Sequence, residues 1–235
     1  MSEVRRVLVV GATGLIGRKV IARGREVPGI SLLALARREM ELPRGARMEL
    51  MIAPPANWGD AIAAIAPDCV ICALGTTQAQ AGREGLREVD CELVLAVARA
   101  AKETGAQHFV HVSSVGADVH AKSHYLQVKG EAEQGLRKLN FRRLDILRPG
   151  LLRGRRSGDS RPLEMVGQLA APLADLFLHG TRRKYRSVLA RDVAAAALQA
   201  ARTPAQGVFV HDFDAICRLA KAFARGAAEP EAAGR

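Results

Sequence analysis

The chain has few aromatic residues and no long apolar run. Tryptophan, tyrosine and phenylalanine make up 4% of its 235 residues, whereas 49% are hydrophobic, so aliphatic side chains must build the core. No apolar stretch approaches the roughly 20 residues of a membrane-spanning helix, which excludes a membrane span. The first residues lead directly into a predicted strand and leave no room for a signal peptide. We therefore predict a soluble, cytoplasmic protein with a single domain over residues 1–235.

Cysteine and histidine are also sparse, with four and six residues respectively. Cys69 and Cys72 form a C-x-x-C, a spacing found in zinc and redox sites. Both lie in DCVICALG, a predicted buried strand, on which residues three apart point to opposite faces. We expect free, buried thiols. His120 and His124 are spaced as H-x-x-x-H, but no histidine is followed by glutamate as in an H-E-x-x-H zinc site. We predict no metal site, and His111 is expected to be a core residue.

Acidic residues are outnumbered by basic ones, 24 to 35, which gives a formal net charge of +11. Such a surplus can attract nucleic acid or an anionic membrane. The arginine clusters are scattered over separate predicted elements, with no basic tail and little aromatic interleaving. We therefore favour a solvated arginine-rich surface with an anion-binding pocket over binding of nucleic acid.

Short apolar runs alternate with stretches of helical periodicity along the chain. Strands are predicted at 5–10, 30–38, 47–53, 68–75, 108–114, 142–150 and 207–212. Helices are predicted at 15–26, 57–66, 85–103, 123–139 and 164–178. This alternation predicts an α/β fold, a doubly wound parallel sheet of the Rossmann type with helices on both faces. Residues 151–185 should form a small C-terminal segment on the substrate side, and 225–235 a disordered tail.

Three glycines follow the first predicted strand at intervals of three residues. Gly11, Gly14 and Gly17 lie in VLVVGATGLIGRKV, between an apolar run and a predicted helix. Gly11 and Gly14 would allow a tight turn and a close approach of backbone to a pyrophosphate, and Gly17 would let the helix pack on the sheet. Free N–H groups and the helix dipole favour the anion. The spacing alone also fits an ordinary strand–turn–helix corner, but its place in the first strand–helix unit favours dinucleotide binding.

Two arginines stand at the end of the second predicted strand, where an acid would select NAD by holding the ribose hydroxyls. The sequence there is LALARR, with Arg37 and Arg38. Guanidinium groups hydrogen-bond a 2′-phosphate and stack on adenine. We therefore favour NADP(H) over NAD(H) as cofactor, for which one contacting arginine is sufficient even if the other faces solvent.

A serine pair, a tyrosine and a lysine follow the fifth predicted strand. Tyr125 and Lys129 are four residues apart and therefore lie on the same face of a helix. A nearby ammonium stabilises a phenolate and brings proton transfer closer to neutral pH. Ser113 or Ser114, at the carboxyl edge of the sheet, would hold a substrate oxygen or the tyrosine hydroxyl. A lone Y-x-x-x-K is common on helices, but it is more specific after a Ser-Ser strand end in a chain that also has the glycine turn.

Six motifs carry a family resemblance. GATGLIG, ALGTT, FVHVSSVGA, YLQVKGEAE, LRPG and RDVAAAAL occur in this order over about residues 4–200. With them the chain resembles the short-chain dehydrogenase/reductase superfamily, in its atypical and extended branches, and especially the NAD(P)-binding group that includes the Tat-interacting-protein oxidoreductase. The resemblance implies Tyr125 as general acid/base, Lys129 as its helper and cofactor ligand, and Ser114, with Ser113 as the alternative, as the orienting serine. The implied cofactor site consists of Gly11, Thr13, Gly14, Leu15, Ile16, Gly17, Arg37, Arg38, Ala73, Leu74, Gly75, Thr76, Lys129, Pro149 and Gly150.

The chain departs from the sugar epimerases of the extended branch, because only about 85 residues follow LRPG, too few for a large sugar-nucleotide domain. We predict an NADP(H)-dependent oxidoreductase that transfers hydride to or from a carbonyl or alcohol of an unidentified small molecule. The alternative is a non-catalytic NADP(H)-binding regulator that reports redox state to a partner protein, and nucleic-acid binding ranks third. Whether the protein is a homodimer is left open.

Overall fold

Seven parallel strands form one sheet in the computed structural model, which describes residues 4–24, 27–43, 48–154 and 178–232, with only the backbone given for 227–232. The strands are β1 (Arg5–Val10), β2 (Ile30–Ala36), β3 (Glu49–Ile52), β4 (Cys69–Cys72), β5 (His108–Val112), β6 (Arg143–Leu147) and, after a separate pair, β9 (Gly207–His211). Their spatial order is β3-β2-β1-β4-β5-β6-β9, and every neighbouring pair is parallel. The separate pair is β7 (Leu152–Arg153) and β8 (Val188–Leu189).

Helices cover both faces of the sheet. Within the described residues they are α1 (Leu15–Gly24), α2 (Trp58–Ile65), α3 (Gln78–Arg87), α4 (Leu93–Glu103), α5 (His124–Lys138), α6 (Ala190–Arg202) and α7 (Phe213–Ala232). One apolar layer packs α1, α6 and α7 on the sheet, and the other packs α2, α4 and α5 on its opposite face. The predicted doubly wound Rossmann fold is confirmed.

The predicted strands all exist, but several end earlier than predicted. β2 ends at Ala36, two residues before Arg38, and β6 ends at Leu147, before Pro149 and Gly150. β4 and β5 likewise end at Cys72 and Val112. The chain leaves the sheet at these points to form loops at its carboxyl edge. These loops carry most of the predicted site residues.

The helix predicted at 85–103 differs most from the observed structure. Helical structure begins earlier, at Gln78, and is interrupted by Gly82, whose φ of 70° is not helical. A π-helical turn, Glu88–Glu92, then joins α3 to α4. α4 ends at Glu103, where the predicted helix also ends, and Gly105 follows with φ 93°. The period of a regular α-helix therefore does not apply across the middle of this segment.

Parts of the C-terminal prediction lie outside the described residues. These include 155–177, which hold most of the predicted substrate-side segment and nearly all of the helix predicted at 164–178. The backbone of 225–232 belongs to α7, whereas we expected a disordered tail over 225–235, and 233–235 lie beyond the described chain.

The thiols of Cys69 and Cys72 are free and buried, as predicted. Burial raises the pKa of Cys69 to about 12 and that of Cys72 to about 11, so both remain protonated near neutral pH. No helix within the described ranges has both the length and the apolar composition that crossing a bilayer requires.

Candidate functional site

The segments predicted to bind the cofactor meet at the carboxyl edge of the sheet. β1 and β4 are neighbours there, and the chain order reverses between them, which makes a crevice of the kind that binds dinucleotides in open α/β sheets. The backbone N–H of Ala73, just after β4, donates to the carbonyl oxygen of Val10 at 2.8 Å. This bond holds the loop after β4 against the turn after β1.

The glycine turn after β1 has the close backbone contacts of a phosphate cradle. Gly11 has φ +81°, and a Cβ there would lie 2.6 Å from the carbonyl oxygen of Ala73. A Cβ at Gly17 would overlap the carbonyl oxygen of Gly11, so α1 can approach the turn this closely only because residue 17 has no side chain. Gly14 is exposed at the start of α1, where unpaired N–H groups point out of the helix. This cradle fits a pyrophosphate.

The other predicted cofactor residues of this crevice differ in exposure. Thr13, Leu15, Ala73, Leu74 and Thr76 are half-buried and Gly75 is exposed. Ile16 is 7% exposed and packs into the apolar layer under α1, so only its backbone is available to a ligand.

Pro149 and Gly150, after β6, have packing roles at the same edge. The carbonyl oxygen of Pro149 accepts from the N–H of Val115 at 2.9 Å. A Cβ at Gly150 would overlap the carbonyl oxygen of Arg186, so this glycine lets the segment before β8 pack closely.

Arg37 and Arg38 lie in a bend directly after β2, on the β1 side of the crevice. Both side chains are exposed, and within the described ranges neither has an ion-pair partner. The two guanidinium groups are therefore available to an anionic ligand on this side of the crevice.

Tyr125 and Lys129 lie on α5, with contrasting environments. Tyr125 is half-buried in the first turn, whereas the side chain of Lys129 is 3% exposed. The Lys129 ammonium is 2.8 Å from Oδ1 of Asp90 and donates a long hydrogen bond, 3.4 Å, to the carbonyl oxygen of Val112. Burial alone would lower the pKa of Lys129, but the negative charge of Asp90, together with Tyr125, raises it above its ordinary value. Lys129 is therefore a buried cation.

Asp90 is the site residue that the sequence analysis missed. It is fully buried, and its Oδ2 accepts from the backbone N–H of Thr76 at 2.7 Å. A usable signal was present, because Leu86, Asp90 and Val94 follow one another at intervals of four residues on an otherwise apolar helix face. A carboxylate on such a face needs a buried partner.

The two serines after β5 have different surroundings. Ser113 is buried, and its hydroxyl donates to Oε1 of Glu133 at 2.6 Å. Glu133 also accepts two hydrogen bonds from the Arg148 guanidinium, at 2.9 and 2.5 Å. Ser114 is half-buried, and its one hydrogen bond among the described residues is a 3.5 Å contact with the carbonyl oxygen of Val115. Ser113 thus belongs to a buried ion-pair network, while the Ser114 hydroxyl is available to a ligand.

A family model described as NAD(P)H-binding matches residues 11–204. The chain belongs to the NAD(P)H-binding family. Among curated proteins, it is 36% identical over 184 residues to the mitochondrial protein FMP52 of Saccharomyces cerevisiae, covering 77% of this chain and 76% of the relative. The fmp52 protein of Emericella nidulans is 34% identical over 173 residues, 70% of this chain and 74% of the relative. Protein HTATIP2 of Rattus norvegicus is 45% identical over 101 residues, 43% of this chain and 41% of that protein.

Solved structures with the same fold include a putative NAD-dependent epimerase/dehydratase from Bacillus halodurans. It has a TM-score of 0.67 at 24% identity and covers 93% of this chain and 99% of its own. MoeE5 in complex with UDP-glucose and NAD has a TM-score of 0.66 at 18% identity, over 88% of this chain and 75% of its own. At these identities the two structures establish the fold alone. With the family match and the HTATIP2 relationship, the predicted short-chain dehydrogenase/reductase resemblance is confirmed.

The predicted cytoplasmic location is wrong. The FMP52 relatives from four fungi are named mitochondrial proteins, which points to mitochondria. The prediction rested on the absence of an apolar signal peptide, and that absence does not distinguish these two compartments.

Proposed function

We propose that this protein is an NADP(H)-dependent oxidoreductase of the short-chain dehydrogenase type, which interconverts a carbonyl group and an alcohol. The observation that carries this proposal is Lys129, a buried ammonium one helical turn after Tyr125 and next to the loop of Gly75. A buried cation with a carboxylate partner is costly to maintain, and such groups concentrate at functional sites. This one lies at the sheet edge that also carries the glycine cradle.

When bound in the crevice, NADP(H) would supply or accept the hydride of the proposed reaction. In the reductive direction the Tyr125 hydroxyl donates its proton to the carbonyl oxygen, and the alcohol forms. The Lys129 ammonium stabilises the phenolate that remains, and the phenolate then takes up a proton from solvent. The Ser114 hydroxyl donates a hydrogen bond to the substrate oxygen and orients it. In oxidation the same groups act in reverse.

The preference for NADP(H) is supported by the exposed Arg37 and Arg38 after β2. A 2′-phosphate carries negative charge that two adjacent guanidinium groups can bind, whereas NAD(H) offers only hydroxyls at this position.

The test is turnover by the intact protein with NADPH and a panel of aldehydes, ketones and quinones, followed by loss of NADPH absorbance. Tyr125→Phe should lower kcat by about 10²–10⁴-fold, the usual contribution of a general acid, because the ring remains but the proton is lost. Its affinity for NADPH, measured by cofactor fluorescence, should remain close to wild type.

Full turnover by Tyr125→Phe would contradict the catalytic role of this residue. If NADPH binds but no carbonyl in the panel is reduced, the result favours a non-catalytic NADP(H)-binding regulator.

A further inference from the structure

We propose that Asp90 is a positioning residue of this site: its carboxylate keeps Lys129 charged and in place, and simultaneously fixes the loop after β4 against the cofactor. The inference rests on the proposed function, because it concerns the state in which NADP(H) occupies the crevice. Asp90 itself does not contact the reacting atoms and acts through Lys129 and Thr76.

The two oxygens of Asp90 hold two different parts of the site. Oδ1 lies 2.8 Å from the Lys129 ammonium, and Oδ2 accepts from the N–H of Thr76 at 2.7 Å. Gly75 lies directly against this pair, since a Cβ there would be 3.6 Å from Oδ1 and 3.8 Å from the ammonium nitrogen. Gly75 is exposed, whereas Asp90 is fully buried, so the ion pair lies one residue beneath the surface of the crevice.

The π-helical turn explains how Asp90 reaches this place. It widens the helix between α3 and α4, and Asp90 lies at its centre, on the side that packs against α5. Arg87 ties the same stretch to α5 by an ion pair with Glu131 at 2.5 Å. Single π-helical turns of this kind are frequent at functional sites. The π-helical turn therefore sets the position of the Asp90 carboxylate, and the Arg87–Glu131 ion pair holds this turn against α5.

Asp90 is the nearby negative charge that opposes the effect of burial on Lys129. The other titratable groups that face the ammonium are Tyr125 on α5, Cys72 on β4 and His111 on β5. The thiol of Cys72 is protonated near neutral pH, and burial together with Lys129 lowers the pKa of His111 well below its ordinary value, so that His111 is neutral. Without Asp90, burial would therefore favour loss of the ammonium proton.

This arrangement couples cofactor binding to the charge of Lys129. The family resemblance implies that Lys129 is a cofactor ligand, and the loop of Gly75 and Thr76 lies beside the Lys129 ammonium. When Asp90 is neutralised, Lys129 should lose its proton at a lower pH, and NADPH should lose a charged ligand. In the wild-type protein the affinity for NADPH should change little over the pH range in which the variant loses affinity, because Lys129 stays protonated.

The experiment compares Asp90→Asn with Glu133→Gln in the full chain. Both variants neutralise a buried carboxylate that is paired with a cation, but Glu133 pairs with Arg148 and not with Lys129. NADPH affinity is measured by fluorescence titration at several values between about pH 7 and pH 9.5. As the pH rises across this range, Asp90→Asn should lose at least about tenfold more affinity for NADPH than wild type, because only in the variant does burial remove the Lys129 proton. Glu133→Gln should follow the wild-type curve.

The outcomes separate the two proposals. If the wild-type protein binds no NADPH, the proposed function is wrong. If wild type binds NADPH and the Asp90→Asn affinity has the same pH dependence, the role of Asp90 is wrong and the function stands.

If Asp90→Asn does not fold, a second variant tests the role of Asp90. Asp90→Asn/Lys129→Met leaves no unpaired buried charge, so it should fold and bind NADPH with little pH dependence. If the double variant also does not fold, the loss of folding does not come from an unpaired Lys129 charge, and the proposed coupling between Asp90 and Lys129 is wrong.

Discussion

Ser113 and Ser114 are neighbours in sequence, yet their side chains have different partners. The Ser113 hydroxyl is bound to Glu133, which is itself paired with Arg148, whereas Ser114 has one long contact. Ser113 is buried, whereas Ser114 is half-buried, in the loop that follows β5. The hydroxyl of Ser113 is therefore occupied by Glu133, whereas that of Ser114 is available to orient a substrate.

We expect alanine substitutions to separate these two roles. Ser114→Ala should lower kcat with little change in stability. Ser113→Ala should destabilise the protein by about 1.5–3 kcal/mol, because the buried Glu133 carboxylate loses one of its three hydrogen bonds. Steady-state kinetics and urea unfolding of both variants check this, and the reverse assignment of the two effects would contradict it.

Arg37 and Arg38 should select the cofactor. The double variant Arg37→Ala/Arg38→Ala should bind NADPH at least about tenfold more weakly, since a charge-assisted hydrogen bond to phosphate contributes about 1.5–3 kcal/mol. Its affinity for NADH should be nearly unchanged. Arg99→Ala, an exposed arginine on α4, provides the control for net charge. Equal losses for NADPH and NADH would show that the pair does not read the 2′-phosphate.

At the scale of elements, the turn from β1 into α1 is specified by its own residues. The positive φ of Gly11 and the close contact between Gly17 and the Gly11 carbonyl both arise within seven residues of chain. The sequence could therefore predict this turn. The π-helical turn around Asp90 has no comparable local signature, because Leu86 and Val94 fit an ordinary apolar helix face.

Gly17→Ala should disrupt the cradle. The added methyl group would overlap backbone, which cannot move aside as a flexible side chain can. We expect a loss of stability of at least about 1–3 kcal/mol, as for overpacked cores, and loss of NADPH binding. Gly59→Ala on α2 is the matched control, because no atom lies within 4 Å of its Cβ position. That variant should be unchanged or stabilised by up to about 1 kcal/mol.

At the scale of the whole molecule, β5 carries two histidines buried in the sheet. Neither ring nitrogen of His111 has a hydrogen-bond partner among the described residues, and burial, with the charge of Lys129, lowers its pKa well below the ordinary value. Burial also lowers the pKa of His108, although its contact with Asp145 at 2.7 Å opposes the shift. Both side chains are therefore neutral in the folded protein at pH values where the unfolded chain binds protons.

The free energy of unfolding should depend on pH, because the two histidines bind protons more readily in the unfolded chain than in the folded protein. Stability is fully present above the ordinary histidine pKa of about 6.5 and is lost as the pH falls below it. Each neutral histidine contributes a slope of up to about 1.4 kcal/mol per pH unit. His111→Leu should reduce the acid slope by up to this amount, measured by urea unfolding between about pH 5 and 7. His120→Leu, at an exposed position, should leave the slope as in wild type.

The sequence by itself determined the alternation of strands and helices, the glycine turn and the family. These features follow from hydrophobic periodicity and from backbone requirements that act over a few residues. Only the tertiary structure decided that Asp90 pairs with Lys129 and that Ser113 binds Glu133. It also decided that, among the described residues, nothing hydrogen-bonds the His111 ring. Such contacts join residues far apart in the chain, and their energies depend on burial. The amino-acid pattern places each residue on an element, whereas packing of the elements decides which charges meet.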